Sequence, residues 1–365
     1  MTVPLSVLDL SPLVAGGGAG DALRRTLDLA RHAEQAGYAR YWVAEHHLTA
    51  GVASSQPALL LGQIAAATSH IRLGSGAVQT GYLTPLAIVE QFGLLDALYP
   101  GRFDLGLGRS AQKRTETPRE PVPVAGAHVV DGLLIPEPFS FAPLLASARS
   151  KLFASLLGGA GTGFREVLDQ IQALLAGPIR DAEGNEAHAV PGEGADLQIW
   201  LLGSSGGESA QIAGARGLPF AANYHVAPAS VLEAVSAYRN AFQPGVLPAP
   251  RVMVSADVVV AADDETARQL ASPYAAWVHS IRTGRGAIPF PAPAEDLYES
   301  WTDDDRALVA DRTATQFVGS PATVAAKLRT LQRVTGADEL LITTITYDHA
   351  DRVRSYELLA KKWYG

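Results

Sequence analysis

The 365-residue chain contains no cysteine. Disulfides, thiolate metal sites and a cysteine nucleophile are therefore excluded. No uninterrupted apolar stretch reaches the roughly 18 residues that a membrane-crossing helix requires. Runs of basic residues are also missing: Lys and Arg are scattered and the net charge is −8. A nucleic acid or an anionic membrane is thus not the expected partner. The start of the chain, Met1-Thr2-Val3-Pro4-Leu5, has no basic stretch followed by an apolar core, so it does not read as a secretory signal and the expected compartment is the cytoplasm. No ligand spacing of metal-site type occurs, and no metal is expected.

What is present is a large core and a repeating pattern. Hydrophobic residues make up 47% and charged residues 18%, the balance of a globular enzyme. Apolar, β-rich runs alternate with segments of helical period. Eight strands are predicted, at Val3–Leu10, Ala39–Ala44, Ile71–Val78, Phe103–Leu107, Leu197–Leu202, Pro219–Asn223, Val252–Val260 and Glu339–Thr346. Among the helices between them, Asp21–Ala36 has Asp21 as the expected N-cap and Gly37 as its stop, and Pro321–Val334 has Ser320 as cap and Pro321 in its first turn. Eight strand–helix units in one chain, with no linker to a second domain, predict an α/β fold of the (β/α)8 TIM-barrel type spanning residues 1–365.

Two Pro-rich segments interrupt the alternation. One, at about 111–148, is a long insertion after strand 4; the other, at about 281–297, follows the seventh strand and its helix. Loops of this length are either ordered surface structure or mobile lids.

The chemistry is expected at the carboxyl ends of the strands, where side chains project from a rigid sheet into a crevice. Ala44-Glu45-His46-His47 ends the second strand. Neighbouring residues on an extended chain point to opposite faces, so only one of the two imidazoles enters the barrel mouth and a shared metal is disfavoured. That histidine suits a base or a proton donor; a hydrogen-bonded loop histidine is the alternative. Gly74-Ser75-Gly76-Ala77 puts glycines inside a strand, which marks either tight packing or the close approach of a ligand. Gly108-Arg109-Ser110 at the end of the fourth strand suits a phosphate, and so does Gly203-Ser204-Ser205-Gly206-Gly207, a Gly/Ser loop that opens a helix near Glu208. The same five residues fit Gly-x-Ser-x-Gly, the nucleophile elbow of serine hydrolases, with Ser205 as nucleophile and Asp257 or Asp263 and His349 as its partners. The phosphate cradle is the preferred reading, since eight βα units suit a barrel better than a hydrolase sheet.

Taken in order, Leu8-Asp9-Leu10-Ser11, Ala44-Glu45-His46-His47, Ile71-Arg72-Leu73-Gly74-Ser75-Gly76-Ala77-Val78, the run from Leu95 to Arg109, Trp200-Leu201-Leu202-Gly203-Ser204-Ser205 and Gly217-Leu218-Pro219-Phe220-Ala221 resemble the bacterial-luciferase-like flavin monooxygenases. The resemblance implies a barrel that binds reduced FMN delivered by a separate reductase or, in some branches, the deazaflavin F420. It also implies dioxygen as co-substrate and a small organic substrate, for which a polyketide-like natural product is the guess. By resemblance His46 is the catalytic histidine. Ser75, Gly76 and Ala77 are the strand that lies against the flavin ring, often through a non-proline cis peptide. Arg109 with Ser204, Ser205, Gly206 and Gly207 is the phosphate clamp, and a homodimer is implied. The chain departs from the family at Gly108, where luciferase has a reactive cysteine, and at Gln79-Thr80-Gly81-Tyr82, which lacks a Leu-Pro-Asn-His pattern. Its Gly206-Gly207 loop is one residue longer than usual. An F420-dependent reductase or dehydrogenase, the Ser205 hydrolase and a non-catalytic flavin-binding homologue are the competing expectations.

Overall fold

The computed structural model describes residues 2–109, 126–157, 162–294 and 296–365. Eight parallel strands form its centre: β1 (Leu5–Asp9), β2 (Arg40–Val43), β3 (Arg72–Ser75), β4 (Phe103–Gly108), β5 (Gln198–Gly203), β6 (Phe220–Asn223), β7 (Val252–Val260) and β8 (Glu339–Thr343). They pair in chain order, and β8 returns to β1, closing the barrel. Helices cover the outside: α1 (Ala19–Gln35), α2 (Pro57–Ala67), α3 (Pro85–Leu98), α4 (Phe164–Ala176), α5 (Glu208–Ala215), α6 (Val231–Ala241), α7 (Pro321–Thr335) and α8 (His349–Tyr364). All eight predicted strands are found, and the fold is a (β/α)8 barrel.

Strand alternation sorts the residues into two cores. Leu5, Val7, Tyr41, Val43, Leu73, Phe103, Leu105, Leu201, Phe220, Val252, Val254, Leu340 and Ile342 face outward and pack under the helices. The intervening residues fill the interior in layers. At the amino-terminal end Arg40 bridges Asp104 (2.7 Å) and Glu339 (3.0 Å), while Arg72 also reaches Asp104 (2.7 Å). Above this charged plug Leu8, Trp42, Trp200, Met253 and Leu341 form an apolar layer, with the two indoles edge to face at 5.4 Å. Gly74 makes room for it, since a Cβ there would lie 2.6 Å from Trp42 Nε1.

The helix ends follow their sequence signals with one correction. Ser320 caps α7 and Gly336 ends it in the left-handed region at φ 62°. In α1, however, Gly18 is the N-cap and Asp21 lies three residues into the helix, where its carboxylate accepts from Gly18 N at 3.3 Å. A carboxylate in the first turn serves the orphan amides as well there as from the cap itself.

Both Pro-rich segments are reached in part. Residues 111–125 of the first lie outside the described residues. From 126 onward it forms a hairpin, His128–Val130 with Leu133–Ile135, then two short helices, Ala142–Leu145 and Ala148–Leu157. Arg149 donates to the carbonyl oxygens of Gly284 and Leu48, both at 3.1 Å, which ties this region to the loops after β7 and β2. The second segment is ordered across its described residues. Phe290 is fully buried and exchanges backbone hydrogen bonds with Leu13 and Ala15, so the loop forms part of the wall around the barrel mouth.

Candidate active site at the barrel mouth

His46 continues the inward register of Arg40 and Trp42, while His47 continues the outward register of Val43 and Glu45. The alternation expected from the sequence therefore separates the two histidines. The His46 side chain has no hydrogen-bond partner among the described residues; only its backbone N–H is engaged, by Ser54 O at 2.8 Å. It is solvent-accessible yet crowded by protein, as a side chain lining a recess is. That crowding, helped by the charge of His47, lowers its pKa to about 4. His46 is consequently a neutral imidazole near pH 7.

His47 is committed elsewhere. Its Nε2 lies 2.8 Å from Glu45 Oε1 and its ring stands edge-on to Tyr82 at 5.3 Å. The other oxygen of Glu45 accepts from Gln79 N at 3.1 Å, and Gln79 Nε2 donates back to Glu45 O at 2.6 Å. Burial raises the pKa of Glu45, against the hydrogen bonds from His47 and Gln79 that lower it. Glu45 thus staples the loop carrying His46 to the segment after β3.

That segment is where β3 departs from regular geometry. The peptide between Gly76 and Ala77 is cis. Pairing with β4 resumes at Val78–Gln79, which lie opposite Leu107 and Gly108. Ser75 does not face the mouth: it is fully buried in the outward register, and its hydroxyl donates to Gly106 O at 2.9 Å and accepts from Gly106 N at 3.0 Å. The Ser75 carbonyl oxygen occupies the space of a Gly106 side chain, 1.9 Å from where a Cβ would stand. Gly76, Ala77 and Gly108 are partly accessible and carry at most a methyl group, so this rim offers bare backbone.

The fourth and fifth strands bring the proposed phosphate residues together. Arg109 follows β4 directly, and its Nη1 lies 2.5 Å from Oε2 of Glu208, the first residue of α5. The loop Ser204–Gly207 precedes that helix. Ser230 Oγ donates to Ser204 O at 2.5 Å and fixes the loop from α6's side, while Gly206 is packed so closely that a Cβ would lie 2.8 Å from Glu233 Oε1. Ser204 and Ser205 are exposed, and Gly207 N donates to Ser205 Oγ at 3.4 Å.

The hydrolase reading is not assembled. His349 Nε2 is held 2.8 Å from Asp28, Asp257 is engaged by Tyr274 and Arg312, and Asp263 caps its own helix by accepting from Thr266 N at 2.8 Å. Asp9 is likewise spoken for, since Arg352 (2.6 Å), Tyr41 (2.5 Å), Thr26 (2.7 Å) and the Ser11 N–H (2.7 Å) surround its carboxylate. These ion pairs and hydrogen bonds hold its pKa low although burial opposes them.

Two residues at the mouth carry no sequence motif. His225 follows β6, and its Nδ1 lies 2.5 Å from Ser255 Oγ on β7. The register Ala221, Asn223, His225 was the available signal, the same alternation that selects His46.

The sequence pattern described as luciferase-like monooxygenase matches residues 3–122 and 158–339. The gap between the two matches spans the hairpin and the two short helices after β4. The chain is 39% identical over 363 residues to "Uncharacterized protein YvbT" of Bacillus subtilis (strain 168), covering 98% of this chain and 96% of that one. It is 35% identical over 361 residues to "Luciferase-like monooxygenase" of Escherichia coli (strain K12), covering 98% and 96%. Among solved structures, apo-MsnO8 superposes with a TM-score of 0.77 at 31% identity, covering 99% and 98%. The fold is shared at greater distance by the oxygenating constituent of 3,6-diketocamphane monooxygenase from Pseudomonas putida in complex with FMN (18% identity, TM-score 0.64, covering 99% and 98%). It is shared too by an F420-dependent secondary alcohol dehydrogenase (12%, TM-score 0.62, covering 100% and 99%). The chain belongs to the luciferase-like monooxygenase family of oxidoreductases.

Proposed function

We propose that this protein is a reduced-flavin-dependent monooxygenase that uses dioxygen to oxygenate a small organic substrate at the carboxyl-terminal mouth of the barrel. The observation that carries this reading is His46, an inward-facing imidazole without a hydrogen-bond partner among the described residues, beside a rim of bare backbone. The residues suit a flavin. Gly76, Ala77 and Gly108 leave a face on which a flat ring can lie, and Arg109 stands beside the Ser204–Gly207 loop at the start of α5. Backbone amides at a helix start and a guanidinium together make an anion site.

When bound, reduced flavin supplies the electrons that activate dioxygen. The protein's share is to bind, orient and keep water away. Ser75 contributes by the grip of its hydroxyl on β4, which sets the course of the backbone at Gly76 and Ala77, and not by a side-chain contact to the flavin. His46, being neutral near pH 7, offers one nitrogen to accept and one N–H to donate a hydrogen bond, and its lowered pKa makes it a weak base there. Part of the 111–148 segment, held to the mouth by its continuation at Arg149, is our candidate lid. We take FMN from a partner reductase as the cofactor, with F420 as the alternative, and a polyketide-like compound as the substrate class.

A homodimer is part of the same reading. Helix α2 has no charged residue, and Leu59 (75% exposed), Leu94 (51%) and Leu98 (64%) stand on the outer side of α2 and α3. Exposed leucines on two neighbouring helices support an interaction surface there.

The test is anaerobic titration with reduced FMN and reduced F420, followed by oxygen. Preferential binding of FMN and its oxidation supports the proposal. Binding of F420 alone moves the protein to the deazaflavin branch, and binding of neither overturns the cofactor reading.

A further inference from the structure

His225 stands across the mouth from His46. In the closed ring β6 is four strands from β2, so the two histidines leave opposite sides of the barrel. Both continue the inward register of their strands, His46 that of Trp42 and Ala44 and His225 that of Ala221. Neither imidazole is absorbed by the packing below it: Trp42, Trp200 and Met253 already fill that layer.

His225 is held to β7 through one ring nitrogen. Nδ1 lies 2.5 Å from Ser255 Oγ. The other neighbours of that hydroxyl are Ala222 O at 3.4 Å and Asn223 Oδ1 at 3.5 Å, both acceptors. Where the single Ser255 proton goes to one of these, Oγ accepts from Nδ1–H; where it goes to Nδ1, the ring N–H is on Nε2. In the first arrangement Nε2 is a bare lone pair, and among the described residues nothing hydrogen-bonds it. The charged groups around the ring do not change this. Burial, the largest effect, disfavours protonation together with Arg312 and His46, and this outweighs Asp257, which favours it, leaving His225 with a pKa of about 4. The bare backbone suited to a flat ring lies on β3 and β4, whereas His225 sits beyond β5 and beside β7.

We propose that His225 is the substrate-facing hydrogen-bond acceptor of this mouth: Ser255 holds its Nδ1–H, and its Nε2 receives an O–H or N–H of the substrate. The substrate therefore belongs to a class that carries such a donor near its reacting end, of which a phenol is the simplest. The proposal rests on the barrel mouth being the oxygenase substrate site.

The test uses the full chain labelled with 15N-histidine, with His225→Phe to assign the signal. At pH 7 the His225 pattern is that of a neutral ring protonated on Nδ1, and Ser255→Ala shifts it toward the Nε2-protonated form. As probes, 2-naphthol carries an O–H donor that 2-methoxynaphthalene replaces by a methyl ether. The naphthol perturbs Nε2 and the ether does not. His225→Phe weakens naphthol binding roughly three- to ten-fold, the value of one hydrogen bond, while FMN binding stays within about two-fold. An Nε2-protonated or cationic His225 at pH 7, equal binding of the two probes, or a His225→Phe variant that loses FMN and not naphthol would each overturn the proposal. Ser255→Ala keeps the question answerable if His225→Phe does not fold. Should wild-type protein fail to bind FMN, the oxygenase reading falls, while the tautomer and probe measurements still decide the role of His225.

Discussion

Arg109 and Glu208 form a 2.5 Å ion pair that joins the end of β4 to the first turn of α5. An acidic residue suits a helix start, but here it also occupies a cation meant, on our reading, for a phosphate. The two demands conflict, which makes the pair informative. Arg109→Ala is expected to weaken FMN binding by roughly ten-fold, the scale of a partly exposed charged hydrogen bond, and to leave riboflavin, which has no phosphate, unchanged. Glu208→Gln should tighten FMN relative to riboflavin. Comparative fluorescence titrations check both; equal effects on the two ligands would remove Arg109 from the clamp.

Glu45 predicts a stability effect. Its carboxylate is 3% exposed and serves His47 and Gln79 at once. Breaking such a pair from one side costs on the order of 3 kcal/mol, because the other group keeps its desolvation without its partner. Urea unfolding of Glu45→Ala should show a loss of that order, and Glu45→Gln, which retains an acceptor oxygen, a smaller one. A loss below about 1 kcal/mol in Glu45→Ala would mean that the staple is slack.

The two mouth histidines predict a pH dependence. Each has a pKa of about 4 in the folded protein, against an ordinary value of 6.5. Between these values the unfolded chain binds more protons, so stability rises with pH across the window. The contribution is complete above about 6.5, declines as the pH falls, and is gone below about 4. Thermal melts of wild-type protein should lose more stability from pH 7 to pH 5 than those of a His46→Gln, His225→Gln double variant. Parallel curves would show that the rings titrate normally.

Leu94 and Leu98 are one helical turn apart on α3 and exposed. Replacing both by Glu puts two charges into the proposed dimer face, where burial is strongly unfavourable. Sedimentation should show wild-type dimer and variant monomer at the same micromolar concentration. A wild-type monomer would contradict the homodimer.

The barrel was legible in the sequence because its strands are buried on both faces and end at turn or helix signals. β3 ends sooner than its sequence suggests: Ile71–Val78 reads as one strand, but the Ser75 carbonyl crosses over Gly106 and the chain turns there. Ser75 falls with Leu73 on the outward side, where its hydroxyl is bound to the Gly106 backbone, 31 residues away, a partner that the local sequence does not reveal. Glu45 could not be recognised because Gln79 lies 34 residues on, on a neighbouring strand. His46 was legible because the parity of Trp42 extends to it, and His225 was equally readable by the parity of Ala221. What concealed it was the lack of a motif around it.

The central claim is that the mouth holds a reduced flavin and that His46 serves the reaction there. The most direct measurement compares wild type with His46→Ala under anaerobic conditions and then on admission of oxygen. The account predicts that both bind reduced FMN within a few-fold of each other and that reoxidation follows a different course in the variant. Indistinguishable reoxidation, or no binding of reduced FMN by the wild type, would contradict it.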